Sequence, residues 1–193
     1  LALLSEGKTA RSGVYTEEER AILNETGLLT IKPVIYAANV SEDEAAGVSE
    51  SNTYYKEVVS AAAKEGAQVI PVSAGIEAEI AELDPEEKAA FLTDMGITES
   101  GLDKLIKAGY SLLGLISYLT GGSKEVRAWT IREGTKAPQA AGKIHSDFER
   151  GFIRAEVIAF DDLITCGSLA AAKAKGLLRS EGKDYVMCDG DVV

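Results

Sequence analysis

The sequence is poor in the residues that build metal centres, disulfide frameworks and membrane spans. The chain has one histidine, His145, so a histidine-rich metal site is impossible and a catalytic triad could use no other imidazole. Its two cysteines, Cys166 and Cys188, show no CxxC spacing, which indicates neither a zinc site nor a disulfide framework and favours a reducing, cytoplasmic environment. No apolar run reaches the roughly 18 residues of a membrane span, so we expect a soluble protein with no membrane partner. A redox enzyme and a metalloenzyme are therefore disfavoured.

The chain also lacks an overall surplus of basic residues. Its formal net charge is -11, and the excess acid lies in residues 1–117, which hold 20 Asp/Glu against 9 Lys/Arg, whereas residues 118–193 hold 11 of each. An acidic surface repels nucleic acid, because that affinity rests on neutralised phosphates, and we predict no reading of DNA sequence. Any contact with RNA should use the second part, where residues 124–154 carry seven basic side chains against four acidic ones. An ordinary solvated face would show the same mild surplus.

Composition and length indicate a globular protein. With 46% hydrophobic and 26% charged residues, the 193-residue chain is long enough for one sizeable domain or two small ones. It begins with Leu1-Ala2-Leu3-Leu4 rather than with methionine, and this stretch lacks the features of a secretion signal. We interpret the sequence as a piece of a longer protein.

The first part predicts a parallel strand, helix and strand. An apolar run over residues 34–38 is typical of a buried strand, residues 54–65 repeat apolar side chains at helical spacing, and residues 67–72 predict a second strand. A right-handed crossover makes such strands parallel neighbours. The fold class predicted for this part is α/β.

The pattern changes near residue 110. Residues 126–131 and 152–158 alternate apolar and polar side chains, which is typical of half-buried strands in a small α+β domain. We therefore predict two domains, 1–111 and 112–193. The remaining helices are predicted between the cap Thr16 and Gly27, and at residues 76–83, 85–95, 102–116, 140–149 and 169–175.

Two short motifs resemble ligand sites without the required context. Gly7-Lys8-Thr9 looks like the end of a phosphate-binding loop, GxxxxGK[ST], yet Ala2 stands where the first glycine is needed. Asp189-Gly190-Asp191 could suggest a cation site, but ahead of Val192 it is typical of a turn entering a strand. His145 lies on a predicted helix and is interpreted as a surface or partly packed residue.

The strongest candidate site lies at the ends of the two predicted parallel strands. The stretch KPVIYAANVSE ends in Asn39, Val40, Ser41 and Glu42, and the second strand ends in Ser73-Ala74-Gly75. In open α/β sheets ligands bind outside the carboxyl ends of the strands, where both clusters fall. Asn-x-x-Glu followed by Ser-Ala resembles the two base-recognition motifs of the GTPase-like P-loop NTPases.

Longer segments resemble one family within that group. The carboxyl-terminal half of the YchF subfamily of Obg-like ATPases is similar to KPVIYAANVSE, QVIPVSAGIEAEIAEL, EVRAWTIREGTKAPQAAGKIHSDFERGFIRAEVI and GKDYVMCDGDVV. The resemblance implies a partial P-loop NTPase domain, preceded by the end of a helical insertion and followed from about residue 112 by a TGS domain of β-grasp fold. It also implies binding and hydrolysis of ATP or GTP with Mg²⁺, and the ribosome as a partner.

The base-recognition residues favour adenine over guanine. In the guanine-specific pattern an Asp accepts from two guanine donors and a Lys stem covers the ring, whereas this sequence has Glu42 and Val40 there. We expect Asn39 to tie the two loops together, Val40 to cover the base, Glu42 to avoid the guanine-specific geometry, and Ser73 and Ala74 to add backbone donors.

Two functional hypotheses follow from these observations. Because the family's phosphate-binding loop and magnesium ligands lie before the segments seen here, we expect this chain alone not to hydrolyse nucleotide and its two-strand sheet to have an unpaired edge. The first hypothesis is the distal half of an ATPase that engages the ribosome through its TGS domain. The alternative is a non-catalytic TGS module that binds RNA or a protein partner.

Overall fold

The computed structural model describes residues 2–48, 51–122 and 125–193. The chain forms two compact units, unit 1 (Leu1–Gly109) and unit 2 (Tyr110–Val193). In the described part of the chain no helix is both long and apolar enough to cross a bilayer.

Unit 1 begins with two helices, α1 (Ala2–Ser5) and α2 (Glu17–Glu25). The cap predicted for α2 is confirmed: the Thr16 hydroxyl accepts from the backbone N–H of Glu19, and the Glu19 carboxylate accepts from the N–H of Thr16. These two reciprocal hydrogen bonds satisfy two backbone donors that the start of the helix leaves unpaired.

The centre of unit 1 is a parallel strand–helix–strand arrangement, as predicted. Strand β1 (Ile35–Asn39) pairs in parallel with β2 (Gln68–Val72), in a register that sets Asn39 opposite Val72. Helix α3 (Thr53–Lys64) connects the two strands and buries Ala62 completely. The parallel register brings the carboxyl ends of both strands to one edge of the sheet.

Three further helices complete this part: α4 (Ala74–Ile80), α5 (Pro85–Asp94) and α6 (Gly101–Leu112). Ile76, Ile80 and Ile97 form their buried core. The prediction that the last helix continues to residue 116 is wrong. The chain leaves the helix at Gly114, whose φ of +59° is costly for any residue with a side chain, and Leu115 already begins a strand.

Unit 2 contains a five-stranded mixed sheet in the order β4-β3-β7-β5-β6. Strands β3 and β7 are parallel, and the other three neighbouring pairs are antiparallel. The elements in chain order are β3 (Leu115–Gly121), β4 (Val126–Arg132), α7 (Ala137–Ile144), α8 (Ser146–Arg150), β5 (Ala155–Ala159), α9 (Phe160–Cys166), α10 (Leu169–Ala174), β6 (Arg179–Glu181) and β7 (Asp191–Val192).

The single helix predicted over residues 140–149 is two helices. His145 has extended backbone (φ -159°) between α7 and α8, and its Nδ1 accepts from the N–H of Asp147, so the imidazole caps α8. The side chain is exposed, in agreement with the prediction of a surface residue. The sequence pattern did not reveal this break, because a short side-chain cap inside an apolar repeat leaves the helical period intact.

Two apolar clusters pack against the sheet of unit 2. One contains Tyr118 and Ile131 with residues of α7, and the other contains Ile158 and Val192 with residues of α9 and α10. Successive side chains of a strand point to opposite faces, so Tyr118 and its neighbour Leu119 serve different clusters. The sheet is therefore covered by helices on both sides.

The Asp189-Gly190-Asp191 motif is a turn entering β7, as predicted. Gly190 has a φ of +77°, and the Asp189 carboxylate accepts from the backbone N–H of Ser117 at 2.7 Å. Asp191 is buried and accepts from the hydroxyl of Tyr185 (2.8 Å) and the N–H of Cys188 (2.9 Å). Both carboxylates thus have structural partners within unit 2.

Unit 2 should lose stability at alkaline pH because Tyr118 is buried. Its side chain is 1% exposed, its hydroxyl donates to the carbonyl of Ala140, and burial raises its pKa to about 12. The unfolded chain ionises near an ordinary pKa of about 10. The folded state therefore holds this proton more tightly, so the contribution is complete below about pH 10 and is lost as the pH rises to about 12.

Urea unfolding followed by the fluorescence of Trp129 in unit 2 tests this expectation at about pH 9 and about pH 11. Tyr118→Phe should be less stable than the parent at pH 9, because a buried hydrogen bond is lost, and should show a smaller decrease between the two pH values. An equal decrease in both proteins would contradict the assignment.

Candidate functional site

The two predicted loops meet at the carboxyl edge of the parallel sheet in unit 1. Asn39 is the last residue of β1, and Ser73 and Ala74 directly follow β2. The Oδ1 atom of Asn39 accepts from the backbone N–H of Ala74 at 3.0 Å, across 35 positions of sequence. This bond joins the end of one strand to the first turn of the helix that follows the other.

Two of the candidate residues lie mostly inside this edge. The backbone N–H of Val40 donates to the carbonyl of Val72 at 2.9 Å, which extends the pairing of the strands by one residue. The side chains of Val40 and Ser73 are both buried. Either residue can therefore contact a ligand through its backbone and a small side-chain surface.

Glu42 lies on an exposed turn of 3₁₀ helix, Glu42–Glu44, and its carboxylate comes close to Gly75. A Cβ atom placed on Gly75 would lie 2.8 Å from Oε1 of Glu42. The missing side chain of Gly75 thus provides the space in which the carboxylate rests. Sequence reasoning placed Gly75 in the cluster but not this close approach, which depends on how the turn folds over α4.

A second glycine fixes the position of α4. The carboxylate of Glu77 accepts from the backbone N–H of Gly101 at 2.6 Å, at the start of α6. A Cβ on Gly101 would lie 2.8 Å from the Cγ1 of Val72, so the start of α6 packs directly on this side chain and leaves no room for a side chain at position 101. The first contact joins α4 to the start of α6, and the second joins the start of α6 to the last residue of β2.

The charge of the site restricts what it can bind. The turn presents Glu42, Asp43 and Glu44, three consecutive carboxylates, beside the exposed amide of Asn39. Such an edge repels phosphate groups but accepts a neutral ring with hydrogen-bond donors and acceptors. Within residues 2–48, 51–122 and 125–193 there is no group of three or more His, Cys, Asp or Glu arranged to hold a metal ion.

Comparison with known proteins identifies the chain. Residues 115–193 match the family model YchF-GTPase_C, "Protein of unknown function (DUF933)". The chain is 57% identical over 186 residues to the "Ribosome-binding ATPase YchF" of Bacillus subtilis (strain 168), covering 96% of this chain and 50% of that protein. This chain belongs to the YchF family. It is also 53% identical over 176 residues to the Escherichia coli O157:H7 protein of the same name, covering 91% of this chain and 47% of that protein.

The YchF fold is also found by structural comparison. The Schizosaccharomyces pombe YchF GTPase matches 98% of this chain with a TM-score of 0.82 and 39% identity, over 50% of its own length. The resemblance to the YchF family predicted from the sequence is confirmed, together with a mixed α/β architecture of parallel and mixed sheets. The chain spans about half the length of the curated YchF relatives it matches.

Proposed function

We propose that residues 1–111 are the carboxyl-terminal part of a P-loop NTPase domain, and that their sheet edge binds the base of ATP, with GTP less favoured. The hydrogen bond between Asn39 and Ala74 is the observation that supports this proposal most directly. It joins two loops at the carboxyl ends of neighbouring parallel strands, where open α/β sheets bind their ligands.

Asn39 is oriented by this bond to act as a donor. Because its Oδ1 accepts from Ala74, its amide NH₂ points away from α4 and is available to a ring nitrogen of a purine. Both adenine and guanine carry such an acceptor at N7, so Asn39 favours a purine without choosing between the two.

Glu42 supports the preference for adenine. An aspartate in its place would present both carboxylate oxygens to the paired donors of guanine, whereas Glu42 is one methylene longer and rests over Gly75. A carboxylate held there accepts from the exocyclic amine of adenine without meeting the unprotonated ring nitrogen beside it. Val40, Ser73 and Ala74 complete the site by backbone contact and apolar surface.

The base end of a nucleotide site does not by itself perform hydrolysis. Phosphoryl transfer needs the phosphates held by backbone N–H groups, a lysine and Mg²⁺. The described residues of this chain supply the base contacts and no cluster of metal ligands. We propose that the phosphate and Mg²⁺ contacts come from the rest of the YchF protein.

We further propose that residues 112–193 are a TGS domain that engages the ribosome in the cytoplasm. The "Ribosome-binding ATPase" name of the relatives supports the partner, and the central parallel pair β3 and β7 supports a β-grasp fold.

The edge strand β4 exposes Arg127, whose guanidinium lies 4.1 Å from the centre of the Trp129 ring. This cationic edge also favours the second candidate function, a non-catalytic module that binds RNA or a protein through this surface.

Asn39→Ala should weaken the binding of ATP by the full gene product about tenfold, because one hydrogen bond to the base and one between the loops are lost. Isothermal titration calorimetry with ATP and GTP measures both affinities. The matched control is Asn24→Ala on the exposed face of α2. Equal affinities in Asn39→Ala and the parent would contradict the proposed site.

A further inference from the structure

The turn that carries Glu42 is held at its far end by a second set of hydrogen bonds. The Nδ2 atom of Asn52 donates to both carboxylate oxygens of Glu44, at 2.9 and 3.2 Å. The Ser41 hydroxyl donates to the same carboxylate at 3.4 Å. The Glu42–Glu44 turn is thereby closed onto Asn52, eight residues beyond Glu44.

The orientation of the Asn52 amide is determined by a different contact. Asn52 is the N-cap of α3, and its Oδ1 accepts from the backbone N–H of Tyr55 at 2.9 Å. With Oδ1 committed to the cap, the NH₂ group of the same amide must face Glu44. One side chain thus connects the turn to the start of a 12-residue helix that packs on both strands of the sheet.

We propose that Asn52 is a positioning residue for base recognition: acting through Glu44, it fixes the turn that presents Glu42. This inference rests on the proposed function of the site. Asn52 acts without contacting the ligand, because it bonds to Glu44, which lies on the same turn as Glu42. The strand that leads into the turn is held by the Asn39–Ala74 bond at the sheet edge, and the turn itself is held by Asn52 at the start of α3. A turn fixed in this way restricts the directions in which the Glu42 carboxylate can point, and so contributes to the choice between adenine and guanine.

The substitution Asn52→Asp separates the two roles of Asn52. An aspartate keeps the oxygen that caps α3 but replaces the amide donor with a carboxylate facing Glu44, so the cap remains while the turn is repelled. The double variant Glu44→Gln with Asn52→Asp reverses donor and acceptor, because the introduced glutamine amide would then donate to the introduced carboxylate. It keeps the net charge of the parent and re-forms a hydrogen bond at the same place.

The test measures affinities of the full gene product for ATP, GTP and inorganic tripolyphosphate by calorimetry. Asn52→Asp should weaken ATP binding about fivefold to tenfold and narrow the difference between ATP and GTP, because the Glu42 carboxylate is no longer restricted. Tripolyphosphate affinity should not change, and the double variant should recover most of the loss for ATP. This pattern separates positioning from general loss of structure, which would weaken all three ligands together.

Each of the other outcomes contradicts the positioning role of Asn52, its link through Glu44, or the base site itself. If Asn52→Asp binds ATP and GTP as the parent does, or if tripolyphosphate affinity falls in parallel with ATP affinity, Asn52 has no positioning role, while the proposed nucleotide site stands. A double variant as weak as Asn52→Asp also rejects the link through Glu44. If the parent itself binds ATP no better than tripolyphosphate, the base site and the role of Asn52 are both wrong.

Discussion

Replacing Asp191 with alanine should lower the free energy of unfolding of unit 2 by about 3 kcal/mol. Asp191 is 2% exposed, and its carboxylate accepts from the hydroxyl of Tyr185, the N–H of Cys188 and the guanidinium of Arg179. Alanine leaves the Tyr185 hydroxyl and the Cys188 N–H without this acceptor, whereas Arg179 keeps Glu181 at 3.6 Å. A donor left unsatisfied inside the protein costs more than the hydrogen bond it made. Asp191 is also the first residue of β7, the strand between β3 and β5. Loss of its side-chain contacts therefore also weakens the link between those two strands.

A matched control for this variant is Asp184→Ala. Asp184 is also a carboxylate of unit 2 in an ion pair, with Lys136 at 2.8 Å, but its side chain is 95% exposed. An exposed ion pair contributes little because water and salt screen it, so this control should unfold close to the parent. Urea unfolding followed by Trp129 fluorescence reports on both variants, since Trp129 is the only tryptophan of the chain. Similar midpoints for Asp191→Ala and Asp184→Ala would show that the buried network is not what stabilises β7.

Ile158→Ala should destabilise unit 2 by about 3 to 4 kcal/mol. Ile158 is fully buried in β5 and packs with Ala172 and Val192 between the sheet and α10. Truncation removes apolar surface from a close-packed position and leaves a cavity that the surrounding strands can fill only in part. In the same urea experiment, the urea concentration at the midpoint should be lower, while the slope of the unfolding free energy against urea concentration should not change.

Ile153→Ala provides the comparison, because the same substitution is made in the same unit at a residue that is 80% exposed. Exposed surface substitutions usually change stability by less than about 0.5 kcal/mol. If both isoleucine variants lose equal stability, burial at position 158 is not the cause. If neither does, the cluster around Ile158 is not a core of unit 2.

Much of unit 1 could be predicted from the sequence because its signals are local. The Thr16 cap depends on Glu19 three residues away, and the two parallel strands are continuous apolar runs that need no partner to be recognised. The position of Asn39 and Ser73 at strand ends follows from the same runs. The longer segments from KPVIYAANVSE to GKDYVMCDGDVV carried the resemblance to the YchF family, which the comparisons confirm.

Other features of unit 2 left no local signal. Strand β7 has two residues and β6 has three, too few for any alternation to be seen, and both exist because neighbouring strands provide their hydrogen bonds. Leu115 and Ile116 fit a helical repeat as well as a strand, and pairing with β4 selects the strand. Whether a short apolar segment forms a helix or a strand is decided by the elements that it pairs with.

The sequence by itself determined the family, the parallel strand–helix–strand centre and the residue types at the candidate site, because these depend on side-chain order and periodicity. Only the tertiary structure decided that Asn39 bonds to Ala74, that Glu42 rests over Gly75 and that Asn52 holds Glu44 while capping α3. Apart from the Asn52 cap, which is local, each of these contacts joins residues that are separated along the chain, and its geometry is set by the packing of whole helices and strands. A side chain that can serve as cap, donor or acceptor takes one of these roles only when the fold brings its partner within hydrogen-bond distance.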